Sequence, residues 1–361
     1  MAATLIAAIG FELMELKVSQ RTKLAVLGAG LIGKRHIEHI VNEPSAELLA
    51  VVDPTLVGQE IATEKGVAWF PNFAEMMKVS RPDGVIISTP NQMHVQNGLE
   101  AVAAGVPALI EKPVADDLAG GETLIAAAEA AGVPLLVGHH RRHNPMIQKA
   151  KEIIDSGRLG RVLVANAMFW LMKPDDYFDL AWRRAAGAGP VFLNLIHDVD
   201  NLRYLFGDVV GVQARESHLV RGYEPEETAV IILEFKSGVL ATCSVSDSVV
   251  APWSWEHTTG ENPVYEKTEE SCYVIGGTHG SLTVPSLDVW SNPGKRSWWE
   301  PFKKEREPVQ DEDPLILQIR QFCKVIRGEE QPLVSGREGL ETLRVISAVK
   351  QSVQSGERIA L

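Results

Sequence analysis

The sequence predicts an α/β fold in two parts: an N-terminal doubly wound parallel sheet, then a C-terminal α+β domain on a large, mostly antiparallel open sheet. Two observations lead there. Between Lys23 and His143, short wholly apolar runs alternate with stretches whose apolar residues fall at helical spacing. Strands covered on both faces lose their two-residue alternation, and parallel strands need a crossover helix, so this alternation reads as βαβ units. Beyond residue 160, strand-like runs follow one another across short connections such as "KSG" (236–238) and "GGTHG" (276–280). Close-coupled strands of that kind are antiparallel neighbours.

The elements follow in order. "KLAVLGAG" is a buried strand ending in glycines, and "LIGKRHIEHIVNE" a helix. "AELLAVVDP", "DGVIISTP", "VPALIEKP" and "VPLLVGHH" are further strands; "FAEMMKVS", "MHVQNGLEAVAAG" and "LAGGETLIAAAEAAG" are the helices between them. A helix over Pro145–Ser156 opens the second part, followed by the strands "RVLVANAMFW", "VVGVQARES", "TAVIILEF", "VLATCSVS", "SCYVI" and "GSLTV". A helix from Phe192 to Phe206 lies between the first two of these. The acidic, Trp- and Pro-rich stretch 291–314 reads as a loop, and helices over 315–327 and 336–355 close the chain. The expected domains are 22–143 and 144–361, preceded by an arm, 1–21, that is apolar but interrupted by Glu12 and Glu15.

Composition narrows the class. With 361 residues the chain can bury a sizeable core, and a net charge of −12 argues against nucleic acid or an anionic membrane as partner. Cys243, Cys272 and Cys323 are odd in number and far apart, which excludes a disulfide framework and points to a reducing compartment. The first residues lack a basic leader and are too short and charged to span a bilayer, so a cytoplasmic protein is expected.

Gly28-Ala29-Gly30-Leu31-Ile32-Gly33 matches G-x-G-x-x-G, and it follows a strand and opens a helix, the context that gives the pattern meaning. The first glycine permits the tight turn and the second the approach of a pyrophosphate. The third allows close helix packing, with the helix N-terminus facing the negative charge. Asp53 ends the next strand, placed to accept hydrogen bonds from a ribose diol. A carboxylate there repels a 2′-phosphate, and "PTLVGQE" after it carries no basic residue, so NAD is expected over NADP; Lys34 and Arg35 just past the loop work against that preference.

Four motifs in order, "GAGLIGKRH" (28–36), "STPNQMH" (88–94), "EKPVA" (111–115) and "IHDVDNLRYLFG" (196–207), resemble the Gfo/Idh/MocA oxidoreductases over residues 23–355. The resemblance implies a Rossmann domain followed by a large-sheet domain, with substrate between them beside the nicotinamide. It places Thr89, Pro90, Asn91 and His94 along the cofactor, together with Glu111 and Lys112, and puts Lys112 on the reacting carbon–oxygen group. It makes His197 a partner in proton transfer and Asp200 the acidic residue that follows it. It also implies a homodimer or homotetramer through the exposed face of the large sheet, which apolar strands such as "AVIILEF" fit. One departure stands out: where many sugar and inositol dehydrogenases of the family carry Asp, this chain has Leu193. The partner of His197 is then Asn194, Asp198 or the substrate itself.

The chemistry agrees with those residue types. Oxidising an alcohol requires that the hydroxyl proton be taken as hydride leaves carbon. A lysine partly desolvated near a cationic nicotinamide has a lowered pKa, and histidine titrates near neutrality unaided. Lys112 in contact with the reacting oxygen and His197 as co-catalyst form the expected pair, with the formal base left open between them. Glu111 reads as a positioning group for Lys112 or nearby backbone.

Substrate contacts are expected from His140 and Arg141 (or Arg142) in "GHHRRHN" (138–144). His139, His140 and His143 lack the spacing of a zinc site, because successive residues leaving a strand point to opposite faces. Asn166 and Trp170 share one strand face, Arg183 lies in a glycine-rich loop, and Asn194 precedes His197; all are candidate contacts. Tyr177, Trp253, Trp255 and His257 are candidates for stacking on a sugar ring. The resemblance thus implies an NAD-dependent dehydrogenase acting on a polar small molecule, a sugar, inositol or polyol. A dehydrogenase of a carboxylated cyclic cis-diol, or a nucleotide sensor without turnover, are the alternatives.

Overall fold

The computed structural model describes residues 21–361; the arm expected at 1–21 lies, but for Arg21, outside the described residues. The chain packs into two compact units that exchange segments. Of the described residues, one comprises 21–111 with 126–136 and 318–332; the other comprises 112–125, 137–317 and 333–361.

The first unit is built on a parallel six-stranded sheet. Its elements are β1 (Thr22–Leu27), α1 (Leu31–Asn42), β2 (Ala46–Val52), α2 (Leu56–Lys65), β3 (Ala68–Phe70), α3 (Phe73–Val79), β4 (Gly84–Ile87), α4 (His94–Ala103), β5 (Ala108–Ile110), α5 (Leu118–Ala131) and β6 (Leu135–Val137). The order β3-β2-β1-β4-β5-β6 reverses direction between β1 and β4, the switch point where such sheets hold ligands. Leu24, Val26, Ile37, Ile40, Val51, Ile86 and Leu109 form the core, joined by Ile319 and Phe322 from α9 (Pro314–Ile326). Gly84 makes that docking possible: a Cβ there would lie 2.5 Å from Ile326 Cδ1.

Two elements here, α2 and β3, have no counterpart in the sequence reading. Leu56 and Val57 are exposed, so α2 shows no clean apolar stripe. Its ends are instead set locally: the Thr55 side chain accepts from the Gly58 N–H, and Gly66 stops the helix at φ 67°.

The second unit carries a nine-stranded sheet of order β14-β13-β12-β11-β7-β10-β9-β8-β15. The strands are β7 (Val162–Trp170), β8 (Val209–Ser217), β9 (Thr228–Phe235), β10 (Leu240–Ser246), β11 (Tyr273–Gly277), β12 (Gly280–Val284), β13 (Asp288–Ser291), β14 (Lys303–Arg306) and β15 (Ile359–Ala360). Only β7 and β10 pair in parallel; the other registered pairs are antiparallel. The helices are α6 (Pro145–Asp155), α7 (Ile196–Phe206), α8 (Trp255–Thr259) and α10 (Gly336–Ser355). Ala165, Ala167, Phe169, Leu233, Val245 and Ile275 on one sheet face pack with Ile147, Val199, Leu202, Ile346 and Val349 from these helices. The opposite face leaves Val164, Val230, Ile232, Leu240 and Val274 exposed.

The stretch expected as a loop over 291–314 contains β14, and β13 precedes it. Exposed Lys303 and Lys304 protect the free edge of the sheet, so β14 shows charge rather than apolar alternation. Among the described residues no helix is long and apolar enough to cross a membrane.

Candidate active site

The nucleotide loop sits at the switch point. Gly28 has φ 91°, and a Cβ on it would lie 2.6 Å from the Ser88 carbonyl oxygen; a Cβ on Gly33 would lie 2.0 Å from the Gly28 oxygen. Gly30 has open space where its Cβ would be, and as N-cap of α1 it offers no side chain to the helix's first N–H groups. The loop therefore presents bare backbone donors to an approaching anion, with Leu31 fully exposed and Ile32 half-buried at the start of the helix. Ser88 Oγ ties the loop to β4 by donating to the Leu27 and Gly28 oxygens.

Asp53 holds the loop from β2. Its Oδ2 accepts from the Ala29 N–H at 2.7 Å, and its Oδ1 from the Thr55 N–H at 2.8 Å and from the Thr55 hydroxyl. A carboxylate has about four acceptor positions, so one lone pair is left over for a ribose hydroxyl. Gly58 lets α2 close behind it, since a Cβ there would lie 2.4 Å from Asp53 Cβ. The open Gly30 and the loop-facing carboxylate fit a dinucleotide. Farther along, Thr89 donates to Asn97 Oδ1, and His94 Nε2 meets the Thr89 oxygen at 2.9 Å, fixing the turn that carries Pro90 and Asn91.

Glu111 has a partner beyond its expected role. Its Oε1 lies 2.7 Å from Nε2 of the fully buried His36, so it braces α1. Nothing in "GKRH" signals that pairing across 75 residues of chain.

In the second unit, Lys112 is half-buried, and the Lys112–Pro113 peptide is cis. The Lys112 amine donates to the Leu193 carbonyl oxygen at 3.1 Å. Leu193 lies in a π-helical turn, Val191–Leu195, that runs directly into α7. His197 follows one turn later and is buried, with no hydrogen-bond partner on Nδ1 among the described residues. Burial, then the charges of Lys112 and Arg141 and the rings of His140 and His139, hold its imidazole well below the usual range, so it is neutral. The His140 and His139 rings meet it edge-on at 5.3 and 6.0 Å.

Neither proposed neighbour partners His197. Asn194 Oδ1 makes no hydrogen bond. Asp198 takes a short hydrogen bond from the Tyr273 hydroxyl and lies 3.5 Å from Arg141 Nη1. Burial pushes the Asp198 carboxyl up to about 6. Asp200 belongs to a structural ion pair: Arg142 Nε and Nη2 each donate to it at 2.8 Å, and Thr342 Oγ1 at 2.9 Å. Burial pushes Asp200 up, but Arg142 outweighs it and holds the carboxylate low.

Arg141 is also spoken for. It is buried over the Trp255 ring at 5.2 Å and donates to Glu256 at 2.8 Å. His140 Nε2 lies 2.8 Å from Glu261 Oε1; Glu261, a residue sequence reasoning did not single out, sits just past α8. His143 is buried, and that burial, then the charges of His140 and Arg142, pulls it down to about 3.

Asn166 and Trp170 do share a face, as expected, but it is the wrong one. Ala165, Ala167 and Phe169 are the residues turned toward α7, so Asn166 and Trp170 stand on the outer face, away from His197. There Asn166 accepts from Thr242, and Trp170 donates to Ser244 and meets Trp253 edge-on. Arg183 stacks on the Tyr177 ring at 3.9 Å and donates to the Tyr177 oxygen. His257 meets the Tyr265 ring edge-on.

Comparison with known proteins agrees with this fold. Residues 22–139 match the model of the oxidoreductase family with NAD-binding Rossmann fold, and residues 147–283 that of the GFO/IDH/MocA C-terminal domain. The chain is 27% identical to a D-apiose dehydrogenase of Paraburkholderia graminis, covering 95% of this chain and 90% of that one. It is 25% identical to a 1,5-anhydro-D-fructose reductase of Ensifer adhaerens, covering 92% and 96%. A crystal structure of the WlbA dehydrogenase from Bordetella pertussis with NADH and UDP-GlcNAcA superposes with a TM-score of 0.75 at 25% identity, over 95% of this chain and 99% of that one. With a six-stranded Rossmann sheet, an NAD-type loop and this second sheet, the chain belongs to the Gfo/Idh/MocA family of NAD-binding oxidoreductases.

Proposed function

We propose that the chain is an NAD-dependent dehydrogenase oxidising a secondary alcohol of a sugar, inositol or related polyol to a ketone or lactone. The observation that carries this is the Lys112 amine anchored on the Leu193 carbonyl, one helical turn before the buried, neutral His197. In this role residues 22–143 hold the dinucleotide, residues 144–361 supply substrate contacts and oligomer surfaces, and the enzyme works in the cytoplasm.

The nicotinamide, when bound, accepts the hydride, so the alcohol yields a carbonyl, NADH and one proton. The chain's own groups handle that proton. Lys112 spends one of its donors on Leu193 and directs the amine toward the reacting oxygen; its unprotonated form can take the hydroxyl proton. Neutral His197, with a bare Nδ1, can share or pass that proton. Loading His197 permanently is unfavourable beside Lys112 and Arg141. Among the expected contacts, His140, Asn194 and Arg183 remain candidates for the substrate hydroxyls. Arg141 and Arg142 are committed to Glu256, Asp198, Asp200 and Glu338, which weakens the case for a carboxylated cis-diol. Sugars are also what the names of the two relatives describe.

The test is NADH formation at 340 nm across aldoses, inositols and linear polyols, run with NAD and with NADP. Turnover preferring NAD is expected, given Asp53 beside the ribose position and no base in "PTLVGQE". Lys112→Ala should cut kcat on the order of a hundredfold or more with NAD affinity nearly intact. Tight NAD binding without turnover on the whole panel would favour a sensor, and an active Lys112→Ala enzyme would remove Lys112 from the chemistry.

A further inference from the structure

We propose that Glu261 is a positioning residue of this site, holding His140 edge-on against His197 in one tautomer and so standing in for the acidic residue absent at position 193. The assignment rests on Lys112 and His197 handling the proton. Glu261 reaches His140 from a segment 121 residues away, so no local pattern reveals it.

Three donors converge on its carboxylate. His140 Nε2 meets Oε1 at 2.8 Å, while Asn144 Nδ2 and Trp255 Nε1 donate to Oε2, each at 2.9 Å. Burial pushes Glu261 up, but His140, Arg141 and Trp255 outweigh it and hold the acid at about 2, so it is an anion. A carboxylate only accepts, so His140 must carry a hydrogen on Nε2. That leaves Nδ1 as the ring nitrogen facing away from Glu261. The His140 ring meets the His197 ring at 5.3 Å and 67°. His197, whose Nδ1 has no partner among the described residues, thus has a second imidazole beside it with its hydrogen placed by Glu261. A carboxylate that fixes the orientation and tautomer of an imidazole is the role an acidic neighbour plays in proton-transfer sites.

Glu261→Gln gives a sharp test. The amide has one oxygen, which two donors, Asn144 and Trp255, compete to keep on their side; its NH2 then faces His140 Nε2. The His140 hydrogen should move to Nδ1. Two-bond 1H–15N correlation spectra of the full chain, with the signal assigned through His140→Gln, read that directly and need no substrate. On the fastest member of the sugar and polyol panel, Glu261→Gln and His140→Gln should each lower kcat on the order of a hundredfold. NAD affinity should stay within about twofold in both, and KM within about twofold in Glu261→Gln, with kcat of the double variant no lower than that of either single one. An Nε2-protonated His140 in folded Glu261→Gln overturns the proposal whether or not turnover is found. Should Glu261→Gln not fold, wild-type kcat in His140→Gln overturns it. If those variants are fully active while Lys112→Ala is dead, the proposal alone fails; if Lys112→Ala is active as well, the dehydrogenase chemistry assigned to the pair fails with it.

Discussion

Asp198 offers a quantitative test of the electrostatics around His197. It is 1% exposed, its Oδ2 has no hydrogen-bond partner, and burial outweighs the help from Arg141 and Tyr273, raising its carboxyl from 3.8 to about 6. A carboxyl raised on folding binds a proton more tightly in the native state. Its stabilising contribution is therefore full below the unfolded value near 4 and is lost as pH rises through about 6. The gap of about two units at 1.36 kcal/mol each amounts to roughly 3 kcal/mol. Asp198→Asn keeps an oxygen for the Tyr273 hydroxyl and removes the titration. Whatever constant offset the new amide brings, the difference in unfolding free energy between variant and wild type should drift in the variant's favour by roughly 2–3 kcal/mol from pH 4 to pH 7. Urea unfolding at half-unit pH steps, followed by fluorescence and circular dichroism, measures it. Parallel curves across that window would refute the raised carboxyl.

Two further outcomes are expected. Gly33→Ala places a methyl 2.0 Å from the Gly28 carbonyl oxygen, so the loop must move; unfolding free energy should fall by about 1–3 kcal/mol and NAD affinity should drop, and an unchanged fluorescence titration would contradict the packing described. If copies meet through the outer sheet face, Ile232→Lys, at a residue 45% exposed among apolar neighbours, should shift sedimentation toward the monomer; an unchanged sedimentation coefficient would remove that face from the interface.

Much of this architecture is readable from the amino acids because burial leaves a period. β1, β2, β4 and β5 each carry an apolar run without two-residue alternation, and the glycine loop stands in the only context that gives it meaning. What escapes is what lacks a period: α2, begun by a Thr cap and ended by a glycine, and the edge strand β14, whose lysines face water. Alternation on β7 groups Asn166 with Trp170 but carries no information on which face the helices cover. Lys112 and His197 are visible as residues; their surroundings are not. The Glu111–His36 and Glu261–His140 pairs join segments 75 and 121 residues apart, and tertiary pairing at that range leaves no trace in local spacing.

The anchor of Lys112 is a main-chain oxygen. Every residue type supplies the same carbonyl, so a substitution at 193 that preserves the turn leaves the lysine's acceptor in place. The constraint has passed from the identity of a side chain to the shape of the five-residue π turn Val191–Leu195, whose Val191 N–H is held by Glu226 and whose Leu193 N–H is held by the Gly189 oxygen. Engineering at this site thus has unequal freedoms: position 193 serves Lys112 through its main chain whatever its side chain, while Gly189 is closed, because a Cβ there would lie 2.2 Å from Glu226 Oε1.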